Sequence, residues 1–330
     1  MNAPVALVEP PCPICGGTTW TTVLRGARDW IWRKPGTFQL QRCAGCDLVA
    51  TRPRPADDAL GFYYDNAYSG EAEAGMRHFQ TESGLGRLIN RYRLAVLERV
   101  RKLAPADRLL DVGCSYGGFL RLVRQRTGAR TSGLDLDAGS IAQAVDAEQT
   151  DYRVGLLTEA GYAPGSFTVI TFLESLEHHT DPVAALRAAR EALAPGGLCL
   201  VEVPNFGGLW RRVFRTCWLP LLIPQHLYHF TPKTLAAAFK AAGFGPVARH
   251  QTMFFPLEGV ASLWIWLARV LRMPPVGSKP TWRTPFDVLL FLATLPLYLV
   301  LEIPSQALLR LVGLAGHQLA IARRDDAPPA

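Results

Sequence analysis

Nowhere in the 330 residues is there an apolar run of the roughly 20 residues that a full membrane span requires. The uncharged run Val288–Leu301 stops short of that length. The G-x-G-x-x-G dinucleotide fingerprint is also missing. Residues 1–11 lack the basic start of a secretory signal, so the seven cysteines are expected in a reducing setting, where metal binding is favoured over disulfides. Acid is the scarcer charge: 28 Asp and Glu stand against 35 Lys and Arg, a formal net charge of +7. That balance suits an anionic partner (nucleic acid, anionic lipid or a phosphorylated substrate) without choosing among them.

The chain is organised around Leu109–Phe119. A short apolar run ends in Asp111, glycines follow at 113, 117 and 118, and a helical pattern begins at Phe119. This predicts a buried strand, a tight turn and a helix start whose free N–H groups face a ligand. Thr131–Asp137 predicts a second strand ending in acid, and Asp135 stands where an acidic residue can hold a ribose hydroxyl pair in a doubly wound sheet. Further elements are expected as a helix at 140–147, strands at 152–156, 167–172 and 198–203, helices at 184–193 and 234–242, and two last strands at 246–253 and 316–323. Residues 85–103 keep helical spacing of apolar side chains, and residues 71–84, polar and glycine-containing, are expected to be a loop.

The turn reads G-x-S-x-G-G and resembles the first motif of class I S-adenosylmethionine-dependent methyltransferases. The stretch Leu173-Glu174-Ser175-Leu176-Glu177-His178-His179-Thr180-Asp181-Pro182 is similar to the E-x-x-E-H…D-P pattern of the ubiquinone-pathway O-methyltransferases, and L-x-P-G-G before the fifth strand belongs to the same superfamily. The resemblance implies an α/β fold with a Rossmann-like seven-stranded sheet. It places S-adenosyl-L-methionine along Asp111, Gly113, Cys114, Gly117, Asp135, Leu136, Leu156 and Leu173. In many relatives an acid after the third strand holds the adenine amino group; here Leu156-Leu157 stands there.

Cys12-Pro-Ile-Cys15 and Cys43-Ala-Gly-Cys46 are two C-x-x-C pairs separated by 27 residues. Four thiolates are what a closed tetrahedral Zn²⁺ site needs, and so small a segment depends on metal for its folding. A redox dithiol pair is the alternative. A ribbon followed by a Pro-containing run and a Y-Y…Y helix resembles the N-terminal module of a methyltransferase group several of whose members modify sugars.

Two clusters carry candidate chemistry. Glu174, Glu177 and His178 could hold a divalent cation such as Mg²⁺, His178 or His179 could serve as general base, or the stretch could only stabilise its loop. His226 and His229, in Pro224–Thr231, could face the acceptor or support a helix cap at Thr231.

Between the last two strands lie some sixty residues that the fold does not require. Leu257–Leu271 and Phe286–Leu301, with flanking arginines and tryptophans, predict a hairpin that dips into one leaflet; a dimer interface or a substrate lid is the alternative. Phe206–Leu222, basic and aromatic, suits an anionic membrane surface. The expected organisation is a zinc ribbon at 1–55, a helical connector at 56–104, a methyltransferase domain at 105–253 plus 315–325, and a membrane-associating hairpin at 254–314. The expected activity is methyl transfer to a small-molecule or lipid-linked acceptor, such as a lipid-linked sugar or a prenylated phenol, on the cytoplasmic side of a bacterial inner membrane. An RNA methyltransferase and a non-catalytic membrane scaffold are the rivals. Nucleic acid fits less well, because no basic stripe with interleaved aromatics appears outside 206–218.

Overall fold

A computed structural model of the protein describes residues 5–32, 34–64, 70–253, 258–270, 296, 300 and 302–325. The chain forms two compact units, one of 1–64, 204–234 and 251–318, the other of 65–203, 235–250 and 319–330.

The first unit begins with β1 (Leu7–Val8), β2 (Trp20–Ala27), β3 (Phe38–Cys43), β4 (Val49–Arg52), β5 (Arg54–Pro55) and the short α1 (Gly61–Tyr64). β2, β3 and β4 pair antiparallel, and β1 pairs with β5. Asp29 supports the link between β2 and β3: its carboxylate accepts from the amides of Ile31, Trp32 and Lys34 at 2.8–3.1 Å.

The second unit carries α2 (Gly70–Thr81), α3 (Gly84–Glu98), β6 (Arg108–Val112), α4 (Gly118–Thr127), β7 (Arg130–Asp135), α5 (Ala138–Ala142), β8 (Thr150–Val154), β9 (Phe167–Leu173), α6 (Pro182–Ala192) and β10 (Leu193–Pro204). The chain continues through α7 (Leu209–Phe214), β11 (Tyr228–His229), α8 (Pro232–Ala241), β12 (Val247–Met253), α9 (Glu258–Val270), α10 (Ile303–Leu311) and β13 (His317–Arg323). The large sheet has the order β12-β13-β10-β9-β6-β7-β8. Its central strands β10, β9, β6, β7 and β8 run parallel. β6, β9 and the second half of β10 carry near-continuous apolar runs because both faces are covered; Val169, Ile170 and Phe172 of β9 are fully buried.

The expected Rossmann-like sheet is present. One expectation fails: residues 71–84, expected as a loop, contain helix α2. The expected helix at 140–147 is shorter and starts earlier, at Ala138, where Asp137 caps it by accepting from the Ser140 amide at 2.7 Å. Within the first apolar segment, Leu257–Leu271, the described residues Glu258–Val270 form α9, whereas the second apolar segment, with the run Val288–Leu301, lies almost wholly outside the described residues.

The small sheet of the first unit has the order β11-β4-β3-β2, so Tyr228 and His229 pair with Ala50 and Val49 of the cysteine-bearing segment. Its apolar core joins Leu24, Phe38, Leu40 and Val49 to Tyr63, Phe206, Trp218, Leu221 and Ile223. A second support in this unit is polar. Buried Glu258 accepts from the Trp218 indole at 2.5 Å and from the Gln306 amide at 3.0 Å. Glu302 accepts from the amides of Gly259 and Val260 at 2.7 and 2.9 Å, which satisfies the first turn of α9.

Candidate active site

The ends of β6, β7 and β9 bring the expected cofactor residues together. In register, Asp111 lies opposite Gly133 on one side and Thr171 on the other, and Val112 opposite Leu134 and Phe172. After β6 the chain turns through Gly113 (φ +80°), Ser115 (φ +48°) and Gly117 (φ +76°) into α4. A Cβ on Gly113 would meet Ser175 Cβ at 2.4 Å, and one on Gly117 would meet the Tyr152 hydroxyl at 1.8 Å. Both positions therefore need glycine for conformation and for space. Asp135 braces the turn: its Oδ2 accepts from the Ser115 amide at 2.8 Å and its Oδ1 from the Asp137 amide at 2.9 Å. Burial raises the Asp135 pKa, while those amides oppose the shift. Cys114 is buried beneath the turn, Leu156 and Leu173 are half-buried and buried, and Leu136 is 66% exposed.

An adenosyl-methionine group fits these residues on three observations. The turn supplies backbone without side chains, the N-terminus of α4 presents N–H groups, and the buried Ser115 Oγ has no hydrogen-bond partner among the described residues.

Beside the turn is a buried cluster of carboxyls that spacing alone did not reveal. Asp111 accepts from Thr171 Oγ1 at 2.6 Å, and burial pushes its pKa up to about 7 against the opposing pull of Thr171 and Arg93. Glu202, wholly buried on β10, takes a two-point contact from Arg93 of α3, Nε and Nη2 donating at 2.8 and 2.7 Å. Arg93 Nη1 also donates to Asn90 at 3.0 Å. Burial alone would lower the Arg93 pKa; Glu202 first, then Glu174 and Asp111, raise it instead. Sequence reasoning missed Arg93, Asn90 and Glu202. The available signal was two polar residues, Asn90 and Arg93, set among the apolar positions Ile89, Leu94 and Val96 of a helix.

Glu174 follows β9 with φ +56° and donates its amide to the Glu202 carbonyl at 2.9 Å. Glu177 is wholly buried in a single 3₁₀ turn, Leu176–His178, and burial, then Glu174, raise its pKa well above the carboxylate range. His179 stands edge-on to Phe172, with ring centroids 5.7 Å apart, and desolvation lowers its pKa to about 4.

The profile of the methyltransferase domain family matches residues 76–248. The chain belongs to that family. It is an S-adenosylmethionine-dependent methyltransferase. A ubiquinone biosynthesis O-methyltransferase from Idiomarina loihiensis is 32% identical over 183 residues, 52% of this chain and 75% of that protein. One of the same name from Xanthomonas campestris is 34% identical over 154 residues, 43% of this chain and 64% of the relative. This methyltransferase thus spans three quarters of the first and under two thirds of the second. Among solved structures, phosphoethanolamine N-methyltransferase 2 of Haemonchus contortus, in complex with S-adenosyl-L-methionine, aligns with TM-score 0.52 and 19% identity over 84% of this chain and 63% of that one. The [4+2]-cyclase SpnF aligns with TM-score 0.53 and 17% identity over 83% and 98%. These likenesses show the fold; the cyclase is a reminder that the fold hosts other chemistry.

In the first unit of the methyltransferase, Cys12, Cys15, Cys43 and Cys46 bring their sulfurs within 4.8 Å of one another. Cys12 and Cys46 are 3.4 Å apart and Cys15 and Cys43 3.5 Å apart, close to the edge of about 3.8 Å of a tetrahedron with 2.3 Å Zn–S bonds. Gly17 and Gly45 leave room beside them, since a Cβ on either would stand 3.1–3.4 Å from a sulfur. Burial raises Cys12 to about 11 and Cys46 further; for Cys43 the amides of Gly45 and Cys46 outweigh burial and lower it. Zn²⁺ fits the geometry and the donor set.

His226 and His229 belong to this same unit. The His229 ring is buried, with Nε2 3.1 Å from Thr51 Oγ1, and burial, then Arg211, lower its pKa to about 3. The His226 Nδ1 donates to the Pro220 carbonyl at 2.8 Å. The expected cap is also present: Thr231 Oγ1 accepts from the Thr234 amide at 3.3 Å, ahead of Pro232.

Proposed function

We propose that this protein methylates a polyprenylated phenol, with a lipid-linked sugar as the alternative acceptor, at the cytoplasmic face of a membrane. The observation that carries the reading is the joining of the glycine turn and Asp135 with the Glu174–His179 stretch on adjacent parallel strands, in a chain whose relatives are ubiquinone biosynthesis O-methyltransferases. S-adenosylmethionine supplies an activated methyl group on a sulfonium. The chain supplies position: the turn and Asp135 hold the nucleoside, and Arg93 fixes the Glu202 carboxylate within the buried carboxyl cluster. His178 or the neighbouring His179 would take the acceptor's proton. Zn²⁺ on the four cysteines would serve structure, because four thiolates leave no open position.

Exposed apolar side chains support the membrane reading. Trp266 and Val270 on α9, and Leu308 and Leu311 on α10, stand in solvent, Leu311 with 83% of its surface exposed. Among the described residues no helix is long and apolar enough to cross a membrane, so the contact proposed is peripheral. The test incubates the full-length protein with S-adenosylmethionine and a polyprenylated catechol in detergent, following S-adenosylhomocysteine release. Turnover that Asp135→Ala removes is expected; cofactor affinity unchanged in Asp135→Ala, or no methylation of phenolic or sugar acceptors, would overturn the assignment.

A further inference from the structure

The first unit gathers positive charge that the cofactor site does not use. α7 carries Arg211 and Arg212, Arg215 follows it directly, and the Trp210 and Phe214 side of α7 packs on the unit's apolar core. Arg211 is fixed in place: its Nε donates to the Phe206 carbonyl at 3.0 Å, and its guanidinium lies over the Phe206 ring at 4.4 Å. Arg212 follows Arg211 directly, Arg215 comes four residues after it, and Arg42 stands on β3, whose Phe38 and Leu40 share the apolar core with Trp210 and Phe214; burial, then the charges of Arg212, Arg42 and Arg215, lower the Arg211 pKa. Among the described residues no carboxylate lies within ion-pair distance of Arg211, Arg212 or Arg215. Asp47 is the nearby acid, 3.9 Å from Arg42, and it is already taken by Lys233 at 2.7 Å.

Like charges held together, one of them half-buried on an aromatic face, are expensive unless an anion completes them. A carboxylate would cancel one charge; a phosphate or diphosphate cancels two or more and takes paired guanidinium N–H bonds. We infer that Arg42, Arg211, Arg212 and Arg215 seat a phosphate or diphosphate group. The group comes from solution as free phosphate or diphosphate, or from a lipid headgroup, and the seat goes beyond the methyl-transfer reading above. The cysteine-bearing segment then contributes to anion binding through Arg42.

The test measures binding of inorganic pyrophosphate to the full-length protein by calorimetry, and co-sedimentation with phosphatidylcholine vesicles with and without dicetyl phosphate. Arg212→Gln/Arg215→Gln, both at exposed positions, is compared with wild type, and Arg42→Gln is the second variant. Saturable pyrophosphate binding weakened roughly tenfold or more in the double variant is expected. Sedimentation that needs dicetyl phosphate and is lost in the variant, with no pyrophosphate binding, assigns the same seat to a lipid-borne phosphate. No binding in either arm, or equal binding by wild type and variants, overturns the inference. So does a preference for a single-stranded oligonucleotide over pyrophosphate that the double variant abolishes. S-adenosylmethionine affinity, measured on the same samples, is expected to be unchanged by these substitutions. Its absence from wild type would defeat the methyl-transfer reading and leave the anion seat standing.

Discussion

Gly117 shows how one residue type carries two demands. Its left-handed φ excludes ordinary side chains, and the Tyr152 hydroxyl, donating to the Val145 carbonyl at 2.9 Å, fills the space beside it. Gly117→Ala is expected to destabilise the protein by more than about 1 kcal/mol. Adding Tyr152→Ala should recover part of that loss, a coupling of roughly 0.5–3 kcal/mol in a denaturant-based double-mutant cycle. Titrating residues give a second expectation. With a folded-state pKa of about 3, His229 stays neutral while its unfolded counterpart protonates, so its contribution to stability is present above about pH 6.5 and is lost as pH falls towards 3. His179, at about 4, acts in the same direction. Asp111 acts in the opposite direction: its contribution is present below about pH 4 and is lost as pH rises through 7. Urea unfolding from pH 4 to 8 should show a flatter acid limb for His229→Gln, and for Asp111→Asn a gain relative to wild type that grows with pH.

At the level of elements, the sequence was most readable where local signals and tertiary demands agree. The strand, glycine turn and helix at 108–127 combine an apolar run, obligatory positive φ and amphipathic spacing, and all three point one way. The helix α2 was hidden because glycine was read as a loop signal. Gly75 and Gly84 of that stretch have open space beside them; α2 is instead held by neighbours that the stretch does not contain, since a Cβ on Gly86 of α3 would stand 2.0 Å from the Phe79 carbonyl oxygen and one on Gly118 of α4 2.2 Å from that of Gln80. β11 was hidden for a different reason. Two residues cannot show a strand period, and the partner, Val49–Ala50, is far away in sequence. Arg93 escaped because its importance lies in its contact with Glu202, which adjacency in the chain does not disclose. The Cys12–Cys46 segment, legible from spacing alone, yields an expectation at this scale: about one equivalent of zinc per chain, and loss of the small sheet, seen in amide exchange of β2–β4, on chelation or in Cys43→Ser.

For the whole molecule, the membrane reading concerns α9 and α10 together. Leu308→Ser/Leu311→Ser is expected to reduce flotation with anionic vesicles about tenfold or more, since each large apolar side chain buried in lipid contributes about 1.5–3 kcal/mol. Unchanged flotation would move these side chains to a protein interface. The two units are also interleaved along the chain, which passes from one to the other after Tyr64, Val203, Thr234, His250 and Gln318. That threading has a consequence for biosynthesis. On the ribosome, β2, β3 and β4 emerge early, but β11 follows only after β6–β10 have been translated, and Glu302 and Gln306 later still. The nascent cysteine segment therefore waits, incomplete at one sheet edge, through the synthesis of most of the chain. Early metal capture by the four cysteines would hold it together during that interval, so zinc starvation should affect yield during translation more than it affects protein already made.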